Sequence, residues 1–301
     1  MNHGAQKTSR LILGTAQLGM AYGIANRIGQ PGRQQALAIV KAAWDHGITH
    51  FDTAQDYGES QALLGSLIDE LGIAETARIT TKAHPDINLL NKNEMSQAVV
   101  HSIQTLKIPK LFCFMLHREH HLDFLEKGLD VILKNLVRDG YTEKIGISVY
   151  SPGAAIAALH SDIIDIVQLP TNILDRRFEK AGVFQAATAK RKQIHIRSIF
   201  LQGLILMETQ DLPDGMAFAQ PVIQQLKNLA QEKNMTRTAL ALHYVKIKYP
   251  ESCAVFGAES PEQVLENCSL WKSTVPNEII TKADSLFPAI DERILNPTLW
   301  H

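Results

Sequence analysis

The chain has 301 residues and a formal net charge of −1, from 30 Lys and Arg against 31 Asp and Glu. Such a balance gives no electrostatic basis for a nucleic-acid partner or for an acidic membrane surface. Hydrophobic residues make up 45%, enough for a sizeable core in one domain spanning 1–301, a length common for single-domain α/β barrels.

Short β-rich runs alternate with helical patterns along the chain. RLILGTA reads as a first strand, and Gln34 to Trp44 as a helix stopped at Gly47. ITHFDTA is a second strand, with a helix beginning near Glu59. ARITTKA is the third. Met95, Val99, Ile103 and Leu106 then recur at helical spacing. LFCFMLH is the fourth strand, followed by one helix over HLDFLEKGLDVILKNLVRDG that ends at Gly140. KIGISVY, IIDIVQLP, QIHIRSIF and CAVFGA complete the set. A loop rich in Asp, Pro and Gly (Glu208 to Gly215) and two helical stretches separate the last two strands.

Strand–helix alternation repeated eight times predicts an α/β fold, a closed parallel (β/α)8 TIM barrel. An open doubly wound sheet would need a G-x-G-x-x-G fingerprint after the first strand, and GTAQLGMAYG does not supply it.

The three cysteines, Cys113, Cys253 and Cys268, have no paired spacing, which argues against a disulfide framework or a zinc site. Cys113 and Cys253 lie in apolar runs and are expected as buried packing residues. The amino-terminal MNHGAQKTSRLILGTAQLG lacks an apolar core long enough for a signal peptide, and no run of about 20 apolar residues occurs. A reducing cytoplasm is the expected location. The short basic run Lys190 to Lys192 reads as a solvated helix end.

Four polar residues follow these runs in order. Asp52, Lys82 and His117 each sit at a strand end, and Tyr57 lies in the turn QDYGES after the second strand. Tyr57 and Lys82 are 25 positions apart, and Lys82 and His117 are 35 apart. A barrel unit takes roughly 30 residues. The spacing therefore puts an acid, a phenol, a cation and an imidazole together at one barrel mouth. Each alone has a plainer reading: a helix cap for Asp52, a surface ring for Tyr57, a hydrogen-bonded core histidine for His117. Asp56 is a lesser rival to Asp52, being in the loop. His84, His120 and His121 read as loop residues or substrate contacts.

The set FDTAQDYGES, TTKA and MLH resembles the aldo-keto reductase family, and the likeness runs from LILGTAQLG to FGAESPEQVLEN. It is similar to bacterial members whose seventh strand ends in RSxFLQG, here Arg197 to Gly203. The resemblance implies the barrel fold and reduction of an aldehyde or ketone by a nicotinamide cofactor without metal. Carbonyl reduction delivers a hydride to carbon and a proton to oxygen, and a positioned general acid contributes about 10²–10⁴-fold. Tyr57 is the candidate donor. Lys82 would lower its pKa from about 10. Asp52 would hold Lys82, and His117 would orient the carbonyl.

The resemblance also implies cofactor contacts. They are Gly14 and Thr15 after the first strand, Ser148 and Gln168 at the carboxamide, and Arg197 and Gly203 on the seventh-strand segment. Gly257, Ala258, Ser260, Gln263, Glu266 and Asn267 follow at the phosphate and adenosine end. Backbone amides at the helix opened by Ser260-Pro261 suit a phosphate. Three positions depart from the usual pattern. Val149 stands where the family often has Asn, with Asn172 as a possible substitute. Arg197 stands where a ring usually stacks on the nicotinamide; a guanidinium can stack too, or form a salt bridge at the mouth. Gln263 stands where relatives have a basic residue, with acidic Glu259 beside it.

NADPH is the expected cofactor, with NADH possible. The partner would be a small-molecule carbonyl substrate, and the chain a monomer or weak homo-oligomer. Arg27, Arg118, Arg176 and Arg177 near the mouth hint at an anionic substrate, Tyr22 and Phe218 lie on the same loops, and Trp300 would cover the pocket or pack on the base. Two other classes stay open. One is a Schiff-base lyase on Lys82, which would need a neutral amine. The other is a non-catalytic nucleotide-binding regulatory subunit. Gln263 and Glu259 predict weak cofactor discrimination. kcat/KM measured with NADPH and NADH should differ by less than about a thousandfold, which is some 4 kcal/mol; a larger preference for NADPH contradicts it.

Overall fold

The computed structural model describes residues 9–27 and 29–300. Of the amino-terminal stretch 1–19 read as lacking a signal-peptide core, residues 1–8 lie outside that range. Eight parallel strands close into a barrel in sequence order: β1 Leu11–Gly14, β2 His50–Asp52, β3 Arg78–Lys82, β4 Leu111–Leu116, β5 Thr142–Ser148, β6 Ile166–Pro170, β7 Gln193–Arg197 and β8 Cys253–Phe256. The predicted barrel is therefore the observed fold. Its main core lies between the strands and the helices outside them, including Phe51, Leu64, Val99, Leu133, Phe178 and Leu242, all fully buried.

Local chemistry sets the helix boundaries. Helix Arg33–Asp45 stops at Gly47, whose φ of +87° needs no side chain, while the Ile48 amide reaches back to the Ala43 carbonyl at 3.0 Å. Ser151 caps Pro152–His160 and Ser260 caps Pro261–Lys272, each with proline at the first helical position. The single helix expected from His121 to Gly140 is instead two pieces. A 3₁₀ segment runs Glu119–Lys127, Gly128 turns at φ +107°, and an α-helix runs Leu129–Arg138. Lys190 to Lys192 follow helix Val183–Ala189, largely solvent-facing as read from sequence. Cys113 is buried, but Cys253 is only partly so; its sulfur accepts from Gln193 Nε2 at 3.3 Å. Among the described residues no helix is long and apolar enough to cross a membrane, and no cluster of three or more His, Cys, Asp or Glu side chains suits a metal ion.

Alternation of side chains along a strand carries polar residues into the barrel at two heights. One residue of each pair His50/Asp52 and His195/Arg197 lies at the base and the other at the mouth. At the base the His50 and His195 rings meet edge to face at 5.3 Å, His50 Nε2 lies 2.8 Å from Thr80 Oγ1, and Arg78 covers the Phe112 ring at 3.9 Å. Burial lowers both imidazoles, His50 well below its usual range and His195 to about 3, with neighbouring positive charge adding to it. Both are therefore neutral in the fold. The unfolded chain binds protons at these histidines below about pH 6.5 and the fold does not, so stability falls as pH falls from 6.5 towards 3. Each imidazole should remove about 2 kcal/mol by pH 5. Urea unfolding at pH 7.5 and pH 5 should show this, and His195→Met should lessen the difference; an unchanged difference would contradict the assignment.

Candidate active site

The strand ends place the four sequence-predicted residues at one mouth. Asp52 closes β2, Lys82 closes β3, and His117 follows the last residue of β4. Tyr57 comes from a turn in which its amide bonds the Ala54 carbonyl at 3.2 Å and its carbonyl accepts from Ser60 at 3.0 Å. Gly19 makes this turn possible: a Cβ there would fall 1.9 Å from the Tyr57 carbonyl oxygen.

Lys82 and Asp52 form a buried ion pair. Lys82 Nζ donates to Asp52 Oδ1 at 2.5 Å and to the Thr53 carbonyl at 3.1 Å. Gln168 Nε2 donates to the other carboxylate oxygen, Oδ2, at 2.7 Å. Asp56 turns the other way, towards the half-buried His84 at 3.7 Å, so Asp52 is the carboxylate that meets Lys82. Burial by itself would lower Lys82, but the negative charge of Asp52, with the hydrogen bond to it and the Tyr57 side chain beside it, prevails and holds the ammonium above its ordinary pKa.

Lys82 Nζ lies 5.0 Å from the centre of the Tyr57 ring, and the His117 ring lies 6.0 Å from it. Lys82 lowers the Tyr57 pKa as expected, but other causes outweigh it. Burial raises its pKa, Lys82 pulls it down and Asp52 pushes it up, with a net rise. The phenol therefore keeps its proton at neutral pH. His117 falls to about 3, from burial first and then from the charges of Lys82 and Arg118. Its imidazole is neutral, and its Nδ1 has no hydrogen-bond partner among the described residues.

A cavity of about 400 Å³ opens beside this group. Asp52, Tyr57, Gln168 and Arg197 line it, as do Gly14 and Thr15 on the β1 side. The other end is lined by Gly257, Gln263, Glu266 and Asn267, with Gly203 between. Of the sequence-predicted contacts, Ser148, Ala258 and Ser260 lie outside the lining, as do Lys82 and His117. Thr15 is fully buried, and its hydroxyl bonds the Asp52 carbonyl at 3.0 Å and Ser60 Oγ at 2.8 Å, so it also ties β1 to β2.

Several finer expectations change. Asn172 does not substitute for the residue missing at Val149: its amide holds the Ser198 carbonyl and the Leu174 and Asp175 amides. Arg197 forms no salt bridge among the described residues. Its guanidinium lies 4.2 Å over the Tyr150 ring and 3.4 Å from the Val149 carbonyl. Three of the four arginines read as substrate-facing are paired: Arg27 with Asp211, Arg176 with Glu179 and Asp284, Arg177 with Asp175 and Glu292. The hint of an anionic substrate loses its basis there. Trp300 packs against the core and donates to the Arg293 carbonyl at 2.7 Å, away from the cavity.

Sequence reading missed Gln17, Phe200 and Gln202, which also line the cavity. A Cβ on Gly257 would fall 2.2 Å from the Gln17 amide, so Gln17 lies directly over that glycine. Gln202 carries φ +52° beside Gly203 at +93°, and Ala25 packs so closely that a Cβ on Gly203 would sit 2.4 Å from it. The loop after β1 thus meets the loop after β7 across the cavity. At the far end, Gln263 Oε1 accepts from the Glu259 amide at 2.8 Å. No Lys or Arg lines that end among the described residues.

The aldo-keto reductase YhdN of Bacillus subtilis is 27% identical over 288 residues, covering 86% of this chain and 83% of the relative. A candidate voltage-gated potassium channel β subunit of Schizosaccharomyces pombe is 24% identical over 284 residues, covering 82% of each. Pyridoxal 4-dehydrogenase of Microbacterium luteolum is 24% identical over 322 residues, covering 90% and 92%. Among solved structures, the holo form of an aldo-keto reductase from Bacillus halodurans superposes with a TM-score of 0.76 at 20% identity, over 98% of this chain and 97% of that one. A Klebsiella pneumoniae aldo/keto reductase in complex with NADP and acetate gives 0.71 at 22% identity, over 94% and 96%. The profile of the Aldo/keto reductase family matches residues 10–287, nearly the whole barrel with the mouth just described, and the chain belongs to that family.

Proposed function

We propose that this protein reduces an aldehyde or ketone to an alcohol, using NADPH, with NADH a possible substitute. The observation that carries the reading is the buried Lys82–Asp52 pair beside a protonated phenol and a neutral imidazole, with Asp52 and Tyr57 of this set lining a cavity of about 400 Å³. The Klebsiella structure solved with NADP supports the choice of cofactor. The residues present suit such a group. Gln168 lines the cavity, and its Oε1 is a buried acceptor without a partner among the described residues. Gly257 leaves room under Gln17, and the helix from Pro261 opens its amides beside it.

When bound, the dinucleotide supplies the hydride. The chain's own residues handle the proton. Tyr57 Oη holds it at neutral pH and gives it to the substrate oxygen as that oxygen gains charge. Lys82 stabilises the phenolate left behind, and Asp52 keeps Lys82 charged and in place. His117, neutral, donates to the carbonyl oxygen through the ring nitrogen that carries its hydrogen and fixes the direction of that carbonyl. A lyase on Lys82 is disfavoured, because the bond to Asp52 keeps the amine protonated. A regulatory role is supported by the likeness to the channel subunit candidate but leaves the complete four-residue set without a use; tight dinucleotide binding with no turnover on any carbonyl would favour it.

Tyr57→Phe removes the proton donor alone. kcat should fall by at least about 10²-fold with dinucleotide affinity kept, and an unchanged kcat on a good carbonyl substrate would refute the mechanism. Because His117 titrates near 3 and Tyr57 above its ordinary range, kcat/KM for reduction should be level from about pH 5 to 8. An inflection near the ordinary histidine value that disappears in His117→Gln would show that the imidazole is not neutral.

A further inference from the structure

Gln168 joins the cavity to the buried ion pair. It is 1% exposed. Its nitrogen donates to Asp52 Oδ2 at 2.7 Å, while Lys82 holds Oδ1 at 2.5 Å. Only an amide nitrogen can face a carboxylate oxygen, so chemistry itself fixes which end of this side chain is which. The other end, Oε1, is buried and has no partner among the described residues, on a side chain whose residue lines the cavity. An unmet buried acceptor costs about 1–3 kcal/mol, so this position calls for a donor arriving from the cavity. A nicotinamide carboxamide carries one, and that part rests on the function proposed above.

We infer that Gln168 is a positioning residue that couples occupation of the nicotinamide end to the proton-donating strength of Tyr57. A donor at Oε1 polarises the amide and strengthens its Nε2–H bond to Asp52. Linked hydrogen bonds reinforce one another by about 10–30% per bond. A carboxylate held more firmly through Oδ2 presents less negative charge to Lys82 and to Tyr57. Asp52 keeps the proton on Tyr57 and Lys82 draws it off, so the phenol becomes the stronger acid once the cavity is filled. Every charged or titratable neighbour of Tyr57 enters this balance: Asp52 on β2, Lys82 on β3, His117 after β4, Arg197 on β7 and Tyr22 in the loop after β1. Of these, Asp52 is the one that Gln168 touches.

The test compares NADP⁺ with its 3-acetylpyridine analogue, which has the same charge but a methyl group in place of the carboxamide NH₂. The chain has 6 tyrosines, so the Tyr57 signal is isolated by subtracting the ultraviolet titration of Tyr57→Phe, recorded by rapid pH jump. In the wild type, NADP⁺ should give a larger phenol dissociation constant than the analogue does, by up to about threefold, the size expected of one reinforced hydrogen bond. In Gln168→Met, which has neither donor nor acceptor, the two dinucleotides should give the same midpoint. Equal midpoints in the wild type, or a difference that persists in Gln168→Met, overturn the coupling; should that variant fail to fold, the wild-type comparison decides alone. A fluorescence titration separates this outcome from failure of the reductase reading. No binding of NADP⁺ overturns both, whereas binding with equal midpoints overturns only the coupling.

Discussion

The ion pair between Lys82 and Asp52 sets the terms for the whole barrel mouth. Moving two charges out of water costs several kcal/mol per ion, and their attraction offsets this only where the remaining donors and acceptors are met. Here they are largely met: Asp52 Oδ2 takes the Gln168 amide, and Lys82 also reaches the Thr53 carbonyl. Parallel strands in a closed ring make the arrangement possible. β2 and β3 are neighbours, with Asp52 beside Thr80, one alternation before Lys82. β6 approaches from across the barrel, 116 positions away from Asp52 in sequence for that one hydrogen bond. An open sheet would bring two of these three groups together but not the third.

With the charges fixed by strands, Tyr57 needs only a loop. That loop is tightly held all the same. The short helix Ala16–Gly19 packs on it so closely that only glycine fits at position 19, and Gly58 follows the tyrosine at φ +51° against the Gly19 carbonyl. On the far side of the cavity, Ser198, Leu201, Gln202 and Gly203 all adopt positive φ, three of them non-glycine residues. Such conformations cost of order 1–3 kcal/mol each and persist where the surroundings over-determine them. Ala25 and Gly23, pressed against Gly203 and the Gln202 carbonyl, are those surroundings. Rigid strands carry the charge chemistry, and strained, interlocked loops shape the space beside it.

The strands and their ends were legible in the sequence because apolar runs and polar terminators have a simple physical cause. Asp52, Lys82 and His117 fall where predicted because each ends a run buried on both faces. What pairs with what was not legible. Arg176 and Arg177 looked available to a substrate, yet each is held by an acid two or three residues away, Glu179 and Asp175, and by a second, Asp284 and Glu292, over a hundred positions away. Asn172 looked like a stand-in ligand, but its amide satisfies its own loop. Gly128 broke a helix whose apolar spacing continued across it, because the glycine's freedom at φ +107° allowed a turn that the spacing did not register. The sign of the Tyr57 shift depended on burial, a quantity that no spacing of residues contains.

The two ends of the cavity obey different electrostatics. At the mouth, full charges are buried and paired, so a small change in one hydrogen bond alters the proton held by Tyr57. At the far end no side-chain cation lines the wall among the described residues. What remains there is the amino end of helix Pro261–Lys272, its amides capped by Ser260, with Gln263 engaged by the Glu259 amide and burial raising the Glu259 carboxyl. A phosphate at that end would be met by backbone dipoles, which act over the first turn and are worth about 0.3–1 kcal/mol each, and by no fixed positive side chain. Affinity for the distal part of a ligand can therefore change at Glu259 or Gln263 without disturbing Lys82 and Asp52, because no hydrogen bond or ion pair among the described residues links the two groups directly.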